Sequence, residues 1–385
     1  MNSNATPAQS PNAGGNFTTM KHYLRLLFYL ITMTFCFSVS NAQKINTGPL
    51  DAYWKLIEPL KRGDSLSHQD WKDFLQIEPN KIYVENQGFD SSYLERLRKT
   101  LQIVYMPKND SILQIRIAAN DKDPSSYWMT FKVYMYKKYE DELKKYQVKV
   151  LNPAYIKNIY KNAFKWLPKR LQLKDTTVNF YFLGIENDAI AGEGIIVATM
   201  WQIYIQDKLK PGIFGGHEMQ HVLRKVITFK NISENEKGIM YILNVIQNEG
   251  TADMIDKVYN VAHDDELPVG SKFKDFLLYQ ADSIVQQIDS SLLNLAKSNG
   301  TIFLTERDYR NLIRWTSGHC PGYYMADIIV RNGYRKELIK TVQNPFSFIF
   351  LYNKATDKDS KNPPKFAKES IEYVKLLETR YRANR

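Results

Sequence analysis

Apolar residues along the chain recur three and four apart in some stretches and alternate or run together in others. Leu50 to Leu60 has helical spacing, and Ser91 to Ile103 repeats it behind Asp90, a residue type that caps helices by accepting backbone N–H bonds. Ser125 to Tyr146 reads as one longer helix, opened by Asp123-Pro124 and rich in Tyr and Lys, and Ala154 to Leu167 as another. The pattern then changes. Val178 to Leu183 and Ile195 to Ile205 read as strands, the second entered through Gly192 and Gly194 and alternating around Thr199, Trp201, Ile203 and Ile205. A helix is expected from Pro211, whose fixed φ and missing N–H suit a first turn. A further helix is expected from Glu236 to Tyr259, and beyond the acidic turn His263 to Glu266 the pattern is mainly helical. Gly318 to Gly322 and Pro363-Pro364 interrupt it, and no fixed period repeats.

These elements predict an α+β fold, predominantly helical, with a small sheet. The expected divisions are an extension and signal peptide over 1–42, a mainly helical N-terminal lobe over 43–150, a core over 151–265 and a helical C-terminal lobe over 266–385. No motif with catalytic chemistry falls before residue 150. That lobe either covers the core or forms a permanent half of its cleft.

Composition narrows the class. A chain of 385 residues with 44% apolar content, 25 Tyr and 19 Phe can bury a substantial core and is globular. Its formal charge of +11 comes from bases scattered among acids, with no accompanying nucleic-acid signature, so the reading is a basic surface and no nucleic-acid partner. The first forty residues change the picture more. Lys21, His22 and Arg25 precede an apolar run from Leu26 to Val39, and Ser40-Asn41-Ala42 places small residues at the positions that determine cleavage. This is the pattern of a secretory signal peptide cut before Gln43, too short to span a bilayer stably. The expected location is secreted or periplasmic, with no stable membrane span after cleavage. Met20 immediately precedes the signal, so Met1 and Met20 both stand as starts. Only Cys320 remains in the processed chain, which excludes an intramolecular disulfide.

The chemistry concentrates in His217-Glu218-Met219-Gln220-His221. A helix stacks residues four apart on one face, so the two imidazoles can share one Zn²⁺ while Glu218 faces the water that the metal activates. A carboxylate there can take the water's proton and deliver it to the leaving amine. Gly215 and Gly216 would admit a substrate or a neighbouring strand. Zinc needs a third protein ligand, and Glu249, at the end of the apolar stretch Ile239 to Ile246, supplies one. Asp253, one turn on, is placed to accept the N–H of a ligating histidine.

With Asn248-Glu249-Gly250-Thr251-Ala252-Asp253 downstream, the sequence resembles the gluzincin metallopeptidases, the group of thermolysin. The closer similarity is to uncharacterised secreted bacterial zinc-dependent peptidases. The specific likeness covers Gly215 to Asp256, and a looser one covers roughly 150–355; the lobe before 150 has no counterpart in thermolysin. The resemblance implies a zincin-like core, a peptide or protein substrate, Asn248 and Asp253 supporting the ligands, and a strand along the cleft edge, for which Ile195 to Ile205 is placed. Gln220 departs from the pattern, being polar where many members are apolar. The resemblance also implies an oxyanion donor from the C-terminal lobe, for which His319, Tyr323 and Tyr324 are the candidates.

Other residues offer less. His68 and His263 lie in polar surroundings that suit surface positions, and Cys320 beside His319 lacks an orienting partner for thiol chemistry. Two rivals stay open beside a peptidase. One keeps the zinc but has little turnover or cleaves a non-peptide amide. The other is a helical envelope protein with a fortuitous motif.

Overall fold

Residues 45–382, apart from 193, 226, 269–271, 273 and 275–277, are described by a computed structural model. The signal-peptide expectation lies outside them. Helix α1, Gly48–Lys61, starts with Pro49 in its first turn and buries Leu50, Tyr53, Trp54, Ile57 and Leu60 on one face. Full burial of such a side chain contributes roughly 1.5–3 kcal/mol, far more than differences in helix propensity, so this stripe docks the helix. Helices α2 (His68–Gln76), α3 (Glu78–Asn86), α4 (Ser91–Tyr105) and α5 (Asp110–Lys122) follow. The Asp90 carboxylate caps α4 by accepting from the Tyr93 N–H at 2.7 Å.

The helix expected over Ser125 to Tyr146 is two, α6 (Trp128–Lys138) and α7 (Glu140–Val150), meeting at Tyr139. Glu140, Asp141 and Glu142 fill the first turn of α7, where the positive end of its dipole favours acids. Helix α8, Pro153–Phe164, then leads to the sheet.

Strands β1 (Ile45–Asn46), β2 (Asn179–Leu183), β3 (Ala189–Gly192) and β4 (Ile195–Thr199) lie in the order β1-β2-β4-β3. Only the β3–β4 pair is antiparallel, with Ala191 opposite Ile196. The edge strands are therefore β1 and β3, the latter not predicted by the pattern, and β4 is interior. The strand expected to reach Ile205 ends at Thr199, and α9, Met200–Leu209, follows at once. Met200 to Asp207 are all buried, so no polar stripe marks the helix and its aromatic and branched residues read as a strand. The Tyr136 hydroxyl accepts from the Trp201 N–H at 3.3 Å, which satisfies one free donor at the helix start.

Helix α10, Ile213–Arg224, begins two residues after Pro211, with Gly212 at φ +74 as its cap. Buried Asp207 accepts from the Gly212 N–H at 2.7 Å and from the Tyr146 hydroxyl at 2.5 Å. Then come α11 (Glu234–Ala262), α12 (Ala281–Lys297), α13 (Glu306–Leu312), α14 (His319–Arg331), α15 (Arg335–Lys340), α16 (Pro345–Thr356) and α17 (Lys368–Arg382). The architecture is a predominantly helical α+β fold. Among the described residues no helix is long and apolar enough to cross a membrane.

Buried side chains form two cores. The first joins Leu50 through Leu223, with Leu267 and Val342 added from later in the chain, so the N-terminal helices share one interior with the sheet and α10. The second runs from Phe229 to Tyr381 and includes much of α11 with α12, α14 and α16. The boundary falls near residue 225, between the two helices that carry the candidate chemistry.

Candidate metal centre

Helices α10 and α11 meet through polar contacts. Gln220, fully buried, donates to Thr251 Oγ1 at 3.3 Å, and Arg224 bonds Gln247 Oε1. Gln220 thus bonds across the pair, where an apolar residue would only pack. Gly215 and Gly216 serve a helix more than a strand or substrate. A Cβ at Gly215 would lie 2.7 Å from Ile159 Cδ1, and one at Gly216 2.8 Å from Asn162 Cβ, so both let α8 press against α10.

This packing brings His217, His221 and Glu249 together. Their facing atoms are close: His217 Nε2 to His221 Nε2 3.0 Å, His217 Nε2 to Glu249 Oε2 3.5 Å, and His221 Nε2 to Glu249 Oε2 3.3 Å. Two ligand atoms of a tetrahedral zinc, each about 2.0–2.1 Å from the metal, sit roughly 3.3–3.4 Å apart.

The opposite sides of the rings are engaged as well. Asn248 Oδ1 lies 2.9 Å from His221 Nδ1, and Asn248 Nδ2 donates to Glu249 Oε1 at 3.1 Å, so the amide oxygen accepts from an Nδ1–H of His221. Asp256 Oδ1 lies 3.0 Å from His217 Nδ1 and accepts from its N–H in the same way. Against burial, Asp256 and Glu249 hold the His217 pKa well above its ordinary value, which favours a proton on this ring; with both rings neutral, each turns an Nε2 lone pair toward its neighbour and toward a carboxylate oxygen. Three convergent lone pairs repel one another unless a cation sits among them, and two nitrogens with one oxygen suit zinc.

Asp253 takes a different partner from the one expected. It lies 3.6 Å from His217 Nδ1 but 2.9 Å from His319 Nδ1, so it serves His319, while Asp256, one turn further, serves His217. Sequence reasoning passed over Asp256, although a residue seven beyond Glu249 on a helix returns to the same face. It also passed over Lys257, a buried lysine whose Nζ bonds Asp256 Oδ2 at 2.7 Å.

His319 arrives on α14 through a glycine contact. A Cβ at Gly250 would lie 2.3 Å from Gly322 O, and one at Gly322 2.7 Å from Gly250 N, so α11 and α14 touch backbone to backbone. His319 Nδ1 consequently sits 3.5 Å from Glu249 Oε2. Tyr323 packs into the second core, and Tyr324 is partly buried against the same core. His319 alone of the three lines the cleft. His68 and His263 are exposed, and burial pushes the Cys320 thiol up to about 11.

The cleft measures about 990 Å³ and is walled by the β3 edge, by α10 and α11, and by Ser317 and His319. Asp188, Ala189, Ala191 and Gly192 form its sheet side, and no described residue before Asp175 lines it. The described residues of the N-terminal lobe therefore lie outside the lining of the cleft.

Burial raises the Glu218 pKa above the ordinary carboxyl value, and His217 and His221 only partly oppose this. Burial also resists ionisation of Glu249, but His221, His319 and His217 outweigh it and hold that carboxyl well below its usual range. At His319 burial disfavours the imidazolium, yet Asp253 and Glu249 prevail and raise its pKa. Asp256 is held down against burial by Lys257 and His217.

No curated protein and no solved structure matches the chain. A family model does, over residues 71–361, and its zinc dependence agrees with the donor set described above. That match takes in most of both cores and most of the chain, and places the protein in the family described as "Putative zinc dependent peptidase (DUF5700)".

Proposed function

We propose that the protein is a secreted, gluzincin-type zinc metallopeptidase in which His217, His221 and Glu249 hold the metal. The carrying observation is the convergence of His217 Nε2, His221 Nε2 and Glu249 Oε2 within 3.0–3.5 Å, with both Nδ1 atoms already engaged. Zinc held there supplies Lewis acidity that polarises a peptide carbonyl and acidifies water.

Glu218, adjacent to the first histidine and lining the cleft, removes a proton from the attacking water and returns it to the departing amine. Its raised pKa suits both halves of that task, since a stronger base accepts the proton and a protonated carboxyl can then give it up. His319, kept cationic by Asp253, presents its Nε2–H as a donor to the developing oxyanion. The free edge of β3 offers backbone groups to an extended substrate, which would add as a strand. Export rests on the charged, apolar and small-residue pattern of residues 21–42.

The test pairs activity with metal content. Glu218→Gln is expected to keep about one zinc per chain while cleavage of a peptide library falls to the chelator-treated level. A variant that cleaves as well as the parent would remove Glu218 from the mechanism. A parent with no chelator-sensitive cleavage would favour a zinc protein with little turnover or with a non-peptide amide substrate.

A further inference from the structure

The connection from Gly184 to Asp188 carries the chain from β2 to the cleft edge, and it is anchored in the N-terminal helices. Glu186 has φ +66, a left-handed conformation that a residue with a side chain holds only when its surroundings over-determine it. Its carboxylate is 4% exposed and pairs with Lys132 of α6, itself 6% exposed. Tyr93 of α4 closes a triangle. Its hydroxyl donates to Glu186 Oε1 at 2.8 Å and receives from Lys132 Nζ at 3.2 Å. Phe89 stacks on the Tyr93 ring with centroids 4.1 Å apart, which fixes that corner.

Two further contacts seat the same loop. A Cβ at Gly184 would lie 2.2 Å from the Tyr53 ring, so the backbone presses directly onto α1. The Tyr136 hydroxyl donates to the Leu183 carbonyl at 3.3 Å. Two residues past Glu186 the chain reaches Asp188, and then Ala189, Ala191 and Gly192, all of which line the cleft. Lys132, Glu186 and Tyr93 do not. A buried ion pair is a poor source of stability, because an apolar pair of similar volume packs as well or better. What the charges add is a directed, two-oxygen grip on one backbone turn.

We propose that Lys132, Glu186 and Tyr93 are positioning residues that set the register and rigidity of the substrate-binding edge β3 from outside the cleft. The inference rests on β3 as the strand that pairs with substrate. The N-terminal lobe thereby contributes to substrate binding without touching substrate.

The experiment compares the full chain with Lys132→Met, Lys132→Arg and the double variant Lys132→Met/Glu186→Met. Zinc content, Tm, KM, kcat and hydrogen exchange of the peptide spanning 187–192 are measured for each. Lys132→Met should raise KM about fivefold or more with kcat within about twofold, as expected for lost uniform binding. It should also accelerate exchange in 187–192, and Lys132→Arg should restore both. The double variant should recover Tm to the parent value or above while KM and exchange stay altered, which a merely structural role would not produce. If KM and exchange return to parental values together with Tm, the proposal is overturned. If the parent cleaves no peptide, the peptidase reading fails, and exchange in the double variant alone decides the clamp: parental exchange overturns it, accelerated exchange supports it.

Discussion

Two aspartates one turn apart on α11 each bond a histidine, one on α10 and one on α14, and their settings differ. Asp256 bonds His217 Nδ1 and also pairs with Lys257, so its charge is already balanced inside the protein. Asp253 bonds His319 Nδ1 with one oxygen, while its other oxygen has no hydrogen-bond partner. A balanced carboxylate can fix the tautomer of a neutral imidazole and leave its far nitrogen free to bind a metal. A carboxylate whose nearest cation is the histidine itself favours the imidazolium. The same two residue types, three positions apart, thus meet different settings: Asp256 is shared between His217 and a buried lysine, Asp253 meets His319 at the cleft wall, and each raises the pKa of its histidine against burial.

The comparison breaks most visibly at Asp253. Asp253→Asn should lower kcat by about 10²–10³-fold, the usual cost of one oxyanion donor, with zinc content unchanged. The pH profile supplies the sign. His319 has a raised pKa, so its donor form is complete below that value and is lost as pH rises through it. Without Asp253 the imidazolium deprotonates earlier, and the alkaline limb of kcat should move to lower pH. A variant that lost zinc but kept the position of that limb would mean that Asp253 serves the metal.

Asp256→Asn has a smaller and different effect. It should weaken zinc binding by about 10–100-fold in a competition with chelator, while kcat at saturating zinc stays near that of the parent. Loss of kcat with full metal affinity would reverse the roles assigned to the two carboxylates.

The convergence of the three proposed ligands was legible because a helix turns sequence spacing into geometry: His217 and His221 are four apart, and Glu249 ends an apolar stretch. The same rule, carried one turn past Asp253, reaches Asp256. The pairing of each aspartate with its histidine was not legible, because it depends on how α11 rolls against α10 and α14. The β3 edge was missed for a simpler reason. Ala189-Ile190-Ala191-Gly192 is short, and little in it is branched or aromatic, whereas Trp201 to Ile205 has strand-like residues in a helix buried on every side. The Lys132–Glu186 contact joins residues 54 apart, and no local pattern announces it.

The smallest expected effect tests how the two pairs are held apart. Gly322 touches the α11 backbone at Gly250 N and Ile246 O, each 2.7 Å from where its Cβ would lie. Gly322→Ala must therefore move α14 outward, since neither neighbour is a flexible side chain. Asp256 and Lys257 share α11 with Asp253, and His217 lies on α10, so the metal side has no part in that movement. His319 rides on α14 and withdraws from Asp253. The variant should lose about tenfold in kcat, comparable to other small misplacements of catalytic groups, with zinc affinity within about twofold of the parent. Equal losses in both would show that α14 supports the metal ligands as well, and the division between the two aspartates would no longer follow the helices.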